Sequence, residues 1–112
     1  MTLEITVEQL GGWSVVTVRG RLDSVSVAEF DRSMKEIVAA GTSRVLLNCA
    51  ELRYVSSVGL RVFIECSQLL GASGGTLSFA AMTPHVRNVF GMVGFMGLFE
   101  VYSTVEEALE TK

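Results

Sequence analysis

Residues 44–70, RVLLNCAELRYVSSVGLRVFIECSQLL, combine a predicted strand, a polar turn and a predicted helix, and this order decides the fold. Arg44–Asn48 is a short apolar run of the kind found in central strands that are covered on both faces. From Ser57 to Leu70 the apolar residues recur at helical spacing. They form one stripe that consists of Val58, Val62, Cys66 and Leu69. The paired serines Ser56 and Ser57 therefore stand at the start of a predicted helix.

The chain before this segment predicts a β-hairpin and a first helix. Apolar and polar residues alternate over residues 3–7, and Gly11-Gly12 forms a turn into a second strand, Trp13–Val18. Ser26 and Glu29 have the spacing of a capping box, which predicts the start of a helix.

The chain after the segment predicts two more strands, Thr76–Ala81 and Leu98–Tyr102, each followed by a helix. Thr83-Pro84 opens the third helix in the favoured order of N-cap and then proline. Ser103–Glu106 has capping-box spacing and starts a C-terminal helix. Strands that alternate with helices imply a mostly parallel sheet, with the initial hairpin as its antiparallel portion.

An apolar cluster occupies residues 90–99, FGMVGFMGLF, and two interpretations of it stay open. Such runs are usually buried, which favours core packing between the third helix and the last strand. Methionine also suits adaptable interfaces, so the alternative is a flexible apolar contact surface. The cluster consists of Met92, Phe95, Met96 and Leu98.

Composition limits the possible functions. A chain of 112 residues, 49% hydrophobic and 19% charged, fits a single compact domain spanning 1–112. The net charge of -3 and the lack of a Lys/Arg cluster argue against nucleic acid as a partner. The N-terminus does not resemble a signal peptide, and no run approaches the roughly 20 apolar residues that span a bilayer. We therefore expect a cytoplasmic protein without direct membrane insertion.

The residues also argue against an enzyme. The sole histidine, His85, is predicted in the first turn of another helix, where it is solvated and unsuited to activate a serine. The sequence has no GxSxG elbow, and GASGGTLS lacks the GK[ST] ending of a phosphate-binding loop. Cys49 and Cys66 are expected to be reduced core thiols. We predict no catalytic residues, no metal site and no cofactor.

The paired serines allow two explanations that the residues do not separate. Serine is among the best N-cap residues, so capping alone accounts for one hydroxyl. A functional hydroxyl accounts for the other. In a parallel sheet the functional loops follow the carboxyl ends of strands, so the Gly20–Ser24 turn and the start of the second helix should share one edge.

Three segments form a recognisable set: GRLDSVSVAEF at residues 20–30, RVLLNCAELRYVSSVGLRVF at 44–63 and VFGMVGFMGLFEVYSTVEEAL at 89–109. In their order and spacing they resemble the STAS domain family of bacterial anti-sigma factor antagonists, and the resemblance covers almost the whole chain. The resemblance implies an α/β fold with a mixed sheet of four to five strands, an N-terminal β-hairpin and about four helices packed mainly on one side.

The resemblance also implies a function. Small members of the family bind an anti-sigma factor that has a serine kinase fold, and this binding releases the sigma factor. The kinase phosphorylates a serine at the start of the second helix, and a serine phosphatase reverses the reaction. Matching Gly59 and Leu60 to the family's Gly-Leu places the phosphorylated serine at Ser57, with Ser56 as the second choice.

The implied partner-binding residues lie in the two turns at the same edge. They are Asp23, Ser24, Ser56, Ser57, Val58, Gly59 and Arg61. The domain is expected to be a monomer or a weak dimer. The alternative is a constitutive STAS subunit of a lipid or anion transporter, or of a larger signalling assembly, in which phosphorylation is not required.

Overall fold

The computed structural model describes residues 3–111, and over this range the chain forms six strands, four α-helices and one short 3-10 helix. The strands are β1 (Glu4–Leu10), β2 (Trp13–Leu22), β3 (Arg44–Asn48), β4 (Leu52–Val55), β5 (Thr76–Ala80) and β6 (Glu100–Tyr102). The helices are α1 (Val27–Ala39), α2 (Ser57–Ala72), α3 (Pro84–Met92) and α4 (Val105–Leu109), with the 3-10 helix at Phe95–Gly97.

The sheet is mixed, as the sequence predicts. Its main path runs β1-β2-β3-β5-β6, in which the β1–β2 hairpin is antiparallel and every other pair is parallel. Gly11 and Gly12 close the hairpin with φ values of 56° and 87°. Two positive φ angles in a two-residue loop match the twist of the flanking strands, which explains the paired glycines.

One strand was not predicted. The short strand β4 pairs in parallel with the end of β2, beyond a register shift between Gly20 and Arg21. The pairing also extends β2 to Leu22, four residues past its predicted end at Val18. Neither feature shows in local periodicity, because each depends on a contact between segments that are distant in sequence.

The helices pack mainly on one side of the sheet, which confirms the expected layers. The larger core joins α1, α2 and α3 to one face, and its largest fully buried aromatic side chains are Phe30, Phe63, Phe79 and Phe90. The smaller core lies on the opposite face, where α4 packs through Ala108 against Trp13 and Leu46.

Both cysteines are buried free thiols, as expected. Burial raises the pKa of Cys49 and that of Cys66 to about 12, so both thiols stay protonated at neutral pH. Within residues 3–111 there is no helix with the length and apolar character that a membrane crossing requires.

Two predicted capping boxes were wrong in their contacts. Ser26 is the N-cap residue of α1, but its side chain makes no cap bond and instead donates to the carbonyl oxygen of Arg21 at 2.7 Å. At α4 the box is shifted by one residue. Thr104 is the N-cap, and its Oγ1 accepts from the amide of Glu107 at 3.0 Å.

The third helix begins as predicted. Thr83 is the N-cap, Pro84 follows it, and the Oγ1 of Thr83 accepts from the amide of Val86 at 3.4 Å. The apolar run that ends this helix divides its residues between core and surface. Phe95 packs partly buried against the core, whereas Met92 is 78% exposed. Phe95 and Met96 thus contribute to the core, whereas Met92 and Leu98 present apolar surface to solvent.

Candidate functional site

The two predicted turns meet at the carboxyl edge of the sheet. Leu22 and Val55 are paired residues at the ends of β2 and β4, and the amide of Ser56 donates to the carbonyl oxygen of Leu22 at 2.9 Å. The turn that follows β2 and the start of α2 are thereby fixed side by side. We call this region, residues 21–25 together with residues 54–61, the switch edge.

The two serines at this edge have opposite environments. Ser56 is the N-cap of α2, and its carbonyl oxygen accepts from the amide of Leu60 at 3.0 Å. Its Oγ, however, is buried, makes no cap bond and has no hydrogen-bond partner in the described part of the chain. Ser57 is the first residue of the helix and is exposed. The capping explanation therefore fails for the Ser56 side chain, and the accessible hydroxyl is that of Ser57.

Gly59 sets the distance between α2 and the sheet. A Cβ atom added at this position would lie 2.8 Å from Cγ of Leu22 and 3.0 Å from Cγ2 of Val55, closer than carbon atoms pack. A side chain here would force Leu22 or Val55 to shift, so glycine allows the first turn of α2 to approach the strand ends this closely. Val58 beside it is half-buried, whereas Arg61, one turn after Ser57, is exposed.

Asp23 organises the turn after β2. Its Oδ1 accepts from the amides of Val25 at 3.0 Å and Ser26 at 3.2 Å. The hydrogen bond from the Ser26 amide is the main cause that lowers the pKa of Asp23, and the bond from Val25 and the charge of Arg21 act in the same direction. The carboxylate is therefore ionised at neutral pH, and its Oδ1 is hydrogen-bonded to amides of its own loop.

The tip of this turn projects from the protein. Ser24 is exposed, and the Val25 side chain next to it is 86% exposed. A large apolar side chain in this position adds contact area beside the predicted polar residues. Sequence reasoning missed Val25, although its place between two serines, directly after the predicted Gly20–Ser24 turn, was a usable signal.

A stack of side chains adjoins the start of α2. The guanidinium carbon of Arg21 lies 4.3 Å from the ring centroid of Tyr54, and the His85 ring stacks on Tyr54 with centroids 5.4 Å apart and planes at 17°. His85 is exposed in the first turn of α3, as predicted, but this packing was not foreseen. Because Arg21 and Tyr54 are brought together by the β2–β4 pairing, no local sequence pattern indicates the stack.

The chemistry of this edge suits contact with another protein. Within residues 3–111 no group of three or more histidine, cysteine or carboxylate side chains is placed to hold a metal ion. The switch edge offers exposed hydroxyl, apolar and guanidinium groups on a rigid base of buried side chains. Such a mixture is typical of protein–protein contact surfaces.

Comparisons with known proteins agree with this geometry. The STAS domain sequence profile matches residues 4–108. BtrV of Bordetella bronchiseptica, provisionally named an anti-sigma factor antagonist, is 30% identical over 95% of this chain and 91% of its own. A crystal structure of an anti-sigma factor antagonist from Mycobacterium paratuberculosis has a TM-score of 0.88 at 26% identity, covering 96% of this chain and 92% of that one.

The likeness extends to SpoIIAA, whose structure has been solved in unphosphorylated and phosphorylated forms. The TM-scores are 0.82 and 0.74, each at 22% identity over 96% of this chain, with 94% and 97% of the SpoIIAA chains covered. At this identity the likeness concerns the fold alone. The profile match and the similarity to BtrV show that this chain belongs to the STAS domain family.

Proposed function

We propose that this protein is an anti-sigma factor antagonist that binds a serine-kinase-fold anti-sigma factor through the switch edge and so releases a sigma factor. The observation that carries the proposal is the contrast between the two serines. Ser57 presents an exposed hydroxyl at the start of α2, while the Ser56 hydroxyl is buried. The names of the relatives support the same class of partner.

Phosphorylation of Ser57 is the proposed off switch. The partner kinase transfers the γ-phosphoryl group of ATP to the Ser57 Oγ, releasing ADP, and a serine phosphatase hydrolyses the ester with water. The solved phosphorylated form of SpoIIAA, a fold relative, supports a switch of this kind. Ser57 is the accessible acceptor, and Ser56 ranks second because a kinase must first expose its hydroxyl.

The switch acts on the interface and leaves the fold intact. A phosphate adds about -1.5 to -2 charges at pH 7. At a helix N-terminus the free amides and the dipole favour an anion by roughly 0.3–2 kcal/mol, so the fold accepts it. A partner packed against the hydroxyl must instead desolvate a new charge, which costs several kcal/mol. Binding is therefore lost while the domain stays folded.

The proposed partner-binding residues divide into two groups. Ser24, Ser57 and Arg61 are exposed and contact the partner directly, with Val58 half-buried beside them. Gly59 is buried and Asp23 is held by its own loop, so these two residues act by shaping the edge. Ser56 belongs to the second group through its backbone bond to Leu22.

The protein itself supplies no catalysis in this scheme. It acts in the cytoplasm as a single domain spanning 1–112, as a monomer or a weak dimer, and needs no cofactor. The phosphoryl chemistry belongs to the partner kinase and to the phosphatase.

The test is a pull-down from native cytoplasm with the unphosphorylated protein, followed by ATP addition and mass spectrometry of partner and phosphosite. We expect a kinase-fold anti-sigma factor to be captured, phosphate to appear on Ser57, and the complex then to dissociate. Ser57→Ala should stay bound after ATP addition, and Ser56→Ala should behave like wild type. Capture of a transporter subunit without phosphorylation would overturn the proposal in favour of a constitutive STAS subunit.

A further inference from the structure

We infer that Arg61 captures the phosphate of phosphorylated Ser57. Phosphorylation then makes both the Ser57 hydroxyl and the Arg61 guanidinium unavailable to the partner. The inference rests on the proposed modification of Ser57. It adds a residue that receives the phosphate and a second reason why the modified protein releases its partner.

The spacing of the two residues supports this contact. Both lie in α2, Ser57 as its first residue and Arg61 four positions later, and both are exposed. Side chains four residues apart on a helix are neighbours, with Cβ atoms about 6 Å apart. An anion that precedes a cation by four residues is the more favourable order of such a pair.

Two other arginines near this edge are already engaged. Arg21 lies over the Tyr54 ring at 4.3 Å, with its Nε 3.8 Å from the Asp23 carboxylate. Arg19 forms an ion pair with Glu51 at 3.2 Å. Of the cations near Ser57, these two have partners that a phosphate would have to displace.

Arg61 has no such partner. Within residues 3–111 its guanidinium forms no ion pair, not even with Glu65, the acidic residue one turn further along α2. Its planar fork of donors matches phosphate oxygens in a bidentate geometry, which a lysine cannot reproduce. A phosphate on Ser57 therefore meets a free guanidinium at the right spacing.

The consequence for binding follows from the position of Arg61 on the switch edge. In the unmodified protein its guanidinium is available to an acidic or carbonyl group of the partner. In the phosphorylated protein it is turned toward the phosphate one turn away. The partner thus loses a cationic contact at the same site where it meets a new negative charge.

The test uses protein in which phosphoserine is placed at position 57 during synthesis, so that no kinase is needed. Thermal unfolding is measured with and without the phosphate in wild type, Arg61→Gln, Arg61→Lys and Arg53→Gln. Arg53 is the matched control, since it is also exposed and four residues from Ser57. It precedes Ser57 through β4, and an extended chain separates the two residues by up to about 13 Å.

We expect the effect of phosphorylation on the melting temperature to be about 1–4 °C more favourable in wild type than in Arg61→Gln, at low salt. The difference should shrink at 1 M NaCl, where exposed charges are screened. Arg61→Lys should retain part of it, and Arg53→Gln should respond to the phosphate like wild type. Comparing each variant with and without phosphate removes any purely structural effect of the substitution.

An equal response of Arg61→Gln and wild type, or an equal loss in Arg53→Gln, would overturn the inference. Its failure is distinguishable from that of the proposed function. If a kinase modifies Ser57 but the effect of the phosphate on the melting temperature does not depend on Arg61, only the capture by Arg61 is refuted. If that effect depends on Arg61 but no kinase modifies Ser57, only the proposed switch is refuted.

Discussion

Replacing Ser56 with alanine tests the unusual state of the first hydroxyl. A serine at an N-cap ordinarily accepts from a backbone amide of the first turn, and its loss costs typically about 1 kcal/mol. Here the Ser56 Oγ is buried, makes no cap bond and finds no hydrogen-bond partner among residues 3–111. A buried hydroxyl without a partner carries a desolvation penalty of about 1–3 kcal/mol. We therefore expect the free energy of unfolding of Ser56→Ala to equal that of wild type or to exceed it by up to about 1 kcal/mol.

The assay is urea denaturation of the purified domain, and Thr83→Ala is the matched control. Thr83 is also an N-cap residue, but its Oγ1 accepts from the Val86 amide at 3.4 Å and donates to the Leu52 carbonyl oxygen at 3.1 Å. This variant should lose about 1–2 kcal/mol. If Ser56→Ala loses as much as Thr83→Ala, the Ser56 hydroxyl caps α2 in solution and the reasoning is refuted.

Three further predictions concern the same edge. Gly59→Ala should lower the free energy of unfolding by about 1–2 kcal/mol in urea, since its Cβ would lie 2.8 Å from Cγ of Leu22 and overpacking outweighs the gain in helix propensity. The pKa of Asp23 is lowered, so its ionised carboxylate stabilises the fold at pH values above the ordinary pKa of 3.8. The difference in urea midpoint between wild type and Asp23→Asn should therefore shrink as the pH falls from 3.8 through the lowered pKa. An unchanged gap at low pH would contradict this. Ser57→Asp, with about half the charge of a phosphate, should weaken partner binding in a titration while the melting temperature stays within about 2 °C.

Local patterns predicted those parts of the fold that local forces determine. The hairpin at Gly11 and Gly12, the helix that starts at Ser57 and the N-cap at Thr83 each follow from residues within one or two turns of the chain. The strand β4 does not, because its four residues are a strand only through pairing with the end of β2. A sequence pattern cannot show a pairing between segments that are far apart in the chain.

The same limit explains what was missed at the site. The contacts of Arg21 and His85 with Tyr54 require β4 to exist and α3 to begin beside it. The direction of each serine side chain likewise depends on how closely α2 approaches the strands at Gly59. The sequence spacing predicts both hydroxyls at the helix start, but only the packing shows that one is buried and the other exposed.

The division of roles between the two serines follows from the bonds that hold the start of α2. The amide of Ser56 bonds to Leu22, its carbonyl oxygen accepts from Leu60, and Gly59 packs against the strand ends. None of these contacts uses the Ser57 side chain. A charge can therefore be added to Ser57 without breaking a contact that fixes the helix, whereas the same charge on Ser56 would be buried. A reversible switch needs a firmly held helix start and a phosphate acceptor that takes no part in holding it. Ser56 supplies the first through its backbone bonds, and Ser57 supplies the second.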